Sequence, residues 1–157
     1  MKAVFLDYAS LDQNDLDFSE LQAVFENLTL YPASTEEQVS ERIQDVDVVI
    51  TNKVRISAEV IQQLPQLKLI LISATGTNNV DLVQTKKSGI VVCNCQAYGT
   101  SAVAQHTLML MLALSTSVIQ YHQAVQKGEW QKAQQFCLLD FPIVELTGKT
   151  LGIIGYG

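Results

Sequence analysis

The chain has 157 residues, 48% hydrophobic and 17% charged, enough apolar material for one ordinary core or for a small domain plus part of another. That excludes a disordered tail and a disulfide-stapled miniprotein. Sixteen acidic residues against ten basic ones give a net charge of −6, the wrong sign for a protein that binds by neutralising phosphate backbones, so nucleic acid is not an expected partner.

Short apolar runs rich in β-branched residues recur along the chain at residues 3–6, 28–31, 47–51, 67–73 and 90–93. Each reads as a buried parallel strand. Between them lie helical signals. Phe18, Leu21, Val24 and Phe25 share a face over residues 18–26. Ser34, Thr35, Glu36 and Glu37 open a capped helix reaching about Gln44. A third helix starts at Ser57 and ends before Pro65, and a fourth runs from Asn79 to Lys87, stopped by Ser88 and Gly89. This alternation predicts an α/β fold with a doubly wound parallel sheet, whose ligand-binding loops follow the carboxyl ends of the strands.

After Cys93 the texture changes. Gly99, Thr100 and Ser101 offer a cap, and residues 102–127 read as one long helix stopped by Gly128. Such a helix could link two domains. Residues 129–141 are irregular, with Trp130 and Phe136 expected to be packed. Thr147, Gly148 and Lys149 make a turn, and residues 150–154 read as a new buried strand running into Gly155, Tyr156 and Gly157. The division expected is residues 1–99 against 100–157.

Three cysteines fit a reduced cytoplasmic protein better than a secreted disulfide framework. The N-terminus lacks the apolar stretch of a signal peptide. The longest apolar run, residues 108–114, is far below the ~18–20 residues that cross a bilayer. A soluble cytoplasmic protein without a membrane partner is the expectation. Residues 1–47 hold eleven acidic and two basic residues, and the remainder five acidic and eight basic, which places any anion site in the later part.

Three segments could carry chemistry. Gly155 and Gly157 follow a predicted strand as the first two glycines of a G-x-G-x-x-G turn, which lets backbone N–H groups approach a pyrophosphate; an ordinary glycine turn reads the same way. Ser73, Ala74, Thr75, Gly76 and Thr77 follow the fourth strand, where small residues expose N–H groups to a carboxylate or phosphate, with Asn78 or Asn79 as a plain helix cap. Asn52, Lys53 and Arg55 follow the third strand, where an amide and two cations can meet an anionic substrate or simply be solvated.

The ordered segments TNKVRISAEVI, LKLILISATGTNNVDL, GIVVCNCQAYGTSAVAQHTLMLMLAL and LTGKTLGIIGYG resemble the N-terminal half of the D-isomer-specific 2-hydroxyacid dehydrogenases, most closely the glycerate dehydrogenase/hydroxypyruvate reductase branch. The resemblance implies a flavodoxin-like substrate (catalytic) domain in residues 1–99. An interdomain helix and the truncated start of a Rossmann NAD-binding domain would then occupy 100–157. It implies substrate binding by Asn52, Lys53, Ala74, Thr75 and Gly76, and cofactor contacts from Thr75, Gly155 and Gly157. NAD is the implied cofactor, NADP the alternative. A small 2-keto or 2-hydroxy acid such as hydroxypyruvate or glyoxylate is the implied substrate, and a homodimer the usual assembly.

One departure is that the family's V-A-E-H segment reads Val103, Ala104, Gln105, His106 here. The resemblance places the catalytic Arg, Glu and His after the glycine turn, so no catalytic residue is expected in this chain, which alone should be inactive. His106 and His122 match no catalytic position. Cys93 and Cys95 make a poor zinc site and read as packed side chains on one strand face, so no metal is expected. The competing readings are a non-catalytic NAD-binding relative of the corepressor type and a stand-alone flavodoxin-like binding domain. A receiver module is disfavoured, because Asp7 follows the first strand but the third ends in Thr51 and Asn52 with no Asp.

Overall fold

The computed structural model describes residues 1–155, so the expected fingerprint glycine Gly157 lies outside the described residues. The chain divides into two compact units, Met1–Tyr98 and a second beginning at Gly99.

The first unit is a five-stranded sheet of β1 (Lys2–Phe5), β2 (Asn27–Leu30), β3 (Val48–Thr51), β4 (Leu69–Ile72) and β5 (Val91–Asn94). Every pairing is parallel and the order is β2-β1-β3-β4-β5, the flavodoxin-like arrangement expected from the sequence. All four residues of β3 are buried, whereas the edge strands β2 and β5 alternate between exposed and half-buried positions. This is why the central runs are uniformly apolar and the edges are not.

Four helices connect the strands: α1 (Ser19–Val24), α2 (Glu36–Arg42), α3 (Ala58–Gln62) and α4 (Leu82–Lys87). One face of the sheet packs Val4, Leu6, Val49, Ile70 and Ile72 against Val39 and Ile43 of the α2 region and Ile61 of α3. The opposite face packs Ala3, Phe5, Val48 and Ile50 against Phe18, Leu21 and Phe25 around α1. Val24, expected on that apolar face, is instead exposed. The α2 start is capped as expected, with Gln38 Oε1 accepting the Thr35 N–H at 3.1 Å, and Ser57 caps α3. The fourth helix starts later than expected, because Asp81 and not Asn79 caps it, accepting the Gln84 N–H at 2.8 Å.

The second unit contains α5 (Thr100–Ser115), α6 (Val118–Gln126) and α7 (Glu129–Lys132). The expected single helix over 102–127 is therefore two, bent by 64°. Near the break the Ser115 and Thr116 hydroxyls both donate to the Leu112 carbonyl, at 3.1 and 2.7 Å, which competes with the helical ladder. Ser117 is buried with φ +51°, and its Oγ donates to the Pro142 carbonyl at 2.7 Å. The Tyr121 hydroxyl donates to the Phe141 carbonyl at 2.7 Å, and the two rings meet edge to face. Gly128, at φ +75°, ends α6 as expected. Trp130 and Phe136, expected to be packed, are exposed. Among the described residues no single helix is long and apolar enough to cross a membrane.

The strand expected at 150–154 is not formed, and Leu151, Ile153 and Ile154 are exposed. A strand needs a neighbour to take its backbone N–H and C=O groups. Among the described residues the second unit contains no other strand.

Candidate functional site

The loops after β1, β3, β4 and β5 gather at the carboxyl edge of the sheet, and hydrogen bonds tie them to one another. The Ser73 N–H donates to the Thr51 carbonyl at 2.9 Å and the Cys95 N–H to the Ala74 carbonyl at 3.1 Å. Asn79 Nδ2 donates to the carbonyls of Val54 at 3.1 Å and Asn52 at 3.5 Å. Asn79, read from sequence as a possible cap, thus joins the loop after β4 to the loop after β3.

Of the two residues expected after β3 to meet substrate, Lys53 is exposed and Asn52 is buried. Asn52 Nδ2 donates one of its two hydrogens to Ser10 Oγ at 2.9 Å. Arg55 is exposed. In the loop after β4, Ala74 is buried while Thr75 and Gly76 are exposed. Among the described residues their N–H groups find no acceptor. Asn94 Nδ2 donates to the Thr75 carbonyl at 2.7 Å. Because a trans peptide sets its C=O and N–H in opposite directions, Asn94 turns the Gly76 N–H away from β5 and outward. A Cβ on Gly76 would lie 3.1 Å from Asn78 Oδ1, so this turn is tight.

Sequence reasoning missed Asn94 and Ser10. The amide at the end of β5, on the same edge as the other three loops, was the available signal for Asn94; Ser10 left none. A cleft of about 480 Å³ opens beside the edge, between residues 55–59 and 77–83. Glu59, Asp81 and Arg55 border it, and two carboxylates against one cation make it a poor seat for an anion.

The remaining candidates lie elsewhere. Gly155 has φ +95° with nothing within 4 Å of an added Cβ, a conformation that favours glycine. His106 and His122 are exposed. Cys93 and Cys95, expected to be packed, are exposed too. They stand toward the face that α1 covers, but α1 reaches over β1 and β3 and leaves β5 bare. Among the described residues no group of three or more His, Cys, Asp or Glu side chains could hold a metal ion.

A five-stranded parallel sheet in this order, with its loops gathered at the carboxyl edge, is a doubly wound α/β domain, a class in which that edge is where ligands bind. The chain belongs to the D-isomer specific 2-hydroxyacid dehydrogenases, whose catalytic-domain profile matches residues 4–151. It is 41% identical over 156 residues to the glycerate dehydrogenase of Methylorubrum extorquens, covering 99% of this chain and 49% of that protein. It is 39% identical over 159 residues to the hydroxypyruvate reductase of Blautia hydrogenotrophica, covering 100% and 49%. Among solved structures it resembles the NAD-dependent formate dehydrogenase from Staphylococcus aureus in complex with NAD, with a TM-score of 0.66 and 25% identity over 83% of this chain and 43% of that one. The chain spans about half the length of the curated relatives it matches.

Proposed function

We propose that this chain carries the substrate-binding half of an NAD(H)-dependent oxidoreductase that interconverts a 2-keto acid, such as hydroxypyruvate or glyoxylate, and its D-2-hydroxy acid. The observation that carries this reading is the pair of unclaimed N–H groups on Thr75 and Gly76 at the carboxyl edge of the sheet. Similarity to a glycerate dehydrogenase and a hydroxypyruvate reductase supports the substrate class.

In this reading the substrate carboxylate accepts from the Thr75 and Gly76 N–H groups, with the buried Ala74 anchoring the turn behind them. The Lys53 ammonium adds a positive charge on the neighbouring loop, and Asn52 holds that loop in place. Fixed donors of this kind cost no reorganisation when the anion arrives. Thr75 would also contact the nicotinamide end of the cofactor. Gly155, whose positive φ suits a close approach of backbone, and Gly157 would hold the pyrophosphate. NADH, when bound, supplies the hydride. Substrate-domain and nucleotide-domain roles fall to residues 1–99 and 100–157, in a cytoplasmic homodimer. The apolar, exposed surface of α5 supports the dimer.

The general acid, and the cation that polarises the keto oxygen, belong outside this chain. The test is NADH oxidation with hydroxypyruvate and glyoxylate. The complete gene product is expected to turn both over, and purified residues 1–157 neither. Turnover by 1–157 alone would overturn the assignment of roles, and a folded, NADH-binding gene product that reduces no 2-keto acid would favour the corepressor-type alternative.

A further inference from the structure

In an open parallel sheet the ligand crevice ordinarily lies where the strand order reverses, which here is between β1 and β3. Asp7, just past the end of β1, occupies that place. It is 5% exposed. Its Oδ1 accepts the Asn52 N–H at 2.8 Å, and its Oδ2 accepts the Lys53 N–H at 2.7 Å and the Val54 N–H at 3.3 Å. Three successive N–H groups converging on one anion form a nest, the device that elsewhere holds phosphate or carboxylate ligands. Among the described residues neither ion pair includes Asp7, so the nest itself compensates the carboxylate for its lost water.

We infer that Asp7 is a positioning residue for the substrate, an inference that rests on the function proposed above. By filling the nest it denies those three N–H groups to the substrate carboxylate and directs it to Thr75 and Gly76. It also fixes the backbone of Lys53, leaving that side chain exposed at the same edge. The effect reaches the loop after β4, because Asn79 Nδ2 holds the carbonyl side of the segment that Asp7 holds by its N–H side. Ser10 completes the clamp: its Oγ accepts from Asn52 Nδ2 and donates to the Asp7 carbonyl at 2.6 Å.

The experiment is steady-state kinetics of the complete gene product carrying Asp7→Asn, which replaces one acceptor with an NH2 group facing N–H donors. KM for hydroxypyruvate is expected to rise about tenfold while kcat and the KM for NADH stay within about twofold. Ser10→Ala, which spares the nest, is expected to raise KM by about twofold to threefold. A folded Asp7→Asn protein with unchanged KM, or with both KM values rising together, overturns the inference. Should Asp7→Asn fail to fold, Ser10→Ala decides, and an unchanged KM there overturns it. If the unmodified gene product reduces no 2-keto acid, the failure is of the proposed function. Positioning is then read from amide exchange of peptides spanning residues 52–54, expected to be about tenfold faster in Asp7→Asn with β4 and β5 unchanged; equal exchange overturns it.

Discussion

From Met1 to Tyr98 each strand has a parallel neighbour and both sheet faces collect buried side chains. From Gly99 onward Leu108, Leu110, Leu112 and Leu114 stay exposed on α5, and Ala124 is the one buried apolar residue among the described ones. The two regions are both rich in apolar residues. What separates them is a partner surface: in the first unit helix and sheet hide one another's apolar faces, whereas α5 is apolar on several sides and calls for contact on several sides. The first unit repeats the contrast on a smaller scale. Its sheet is covered by α2, α3 and α4 on one face and, within the first unit, by α1 on the other, and there Leu69 and Leu71 are half-buried while Val91 is exposed.

Substitutions can break this comparison. Ile70, fully buried in β4, should cost about 2–5 kcal/mol as Ile70→Ala, measured by urea unfolding of the complete gene product followed at strand amides. Tyr121→Phe removes the hydroxyl that ties α6 to Phe141 and should cost about 0.5–1.5 kcal/mol, read in the same way at α6 amides. Leu114→Ala, at a position 80% exposed within the single chain, should change stability by no more than about 0.5 kcal/mol at protein concentrations where the gene product is monomeric. A loss that grows with protein concentration would show that the exposed face of α5 is buried in the dimer.

The smallest effect is electrostatic. The Lys68 ammonium 2.6 Å from Asp47, followed by the Lys2 N–H, holds the Asp47 carboxyl below its ordinary value. Because the folded pKa is the lower one, the stabilisation is present above the unfolded value of about 4 and is lost as pH falls through the folded value. Asp47→Asn should therefore be slightly less stable than the parent at pH 7, with the difference vanishing in acid. A difference independent of pH would show that the carboxylate's charge is not what acts.

Much of the first unit was legible because local and global signals agree there. The β-branched runs place all five strands within two residues, and Ser57 and the stop at Gly89 behave as their residue types suggest. The break at Ser117 was not legible, since it depends on a hydroxyl reaching a carbonyl 25 residues away. Nor was the role of Asp7, whose N–H partners lie 45 to 47 residues on. Alternation put Cys93 and Cys95 on one face, but which faces are covered is decided by helices elsewhere in the chain. The candidate site was read to loops that the structure gathers at one sheet edge, and the division within them, Asn52 inward and Lys53 outward, needed the hydrogen bonds.

That division can be tested at the amides themselves, by titrating oxamate, a carboxylate-bearing 2-keto acid analogue that accepts no hydride, into the 15N-labelled complete gene product with NADH. The largest chemical-shift changes are expected at Thr75 and Gly76, with Asn52, Lys53 and Val54 little moved because Asp7 already holds their N–H groups. Large changes at Asn52 to Val54 with Thr75 and Gly76 unmoved would contradict the account.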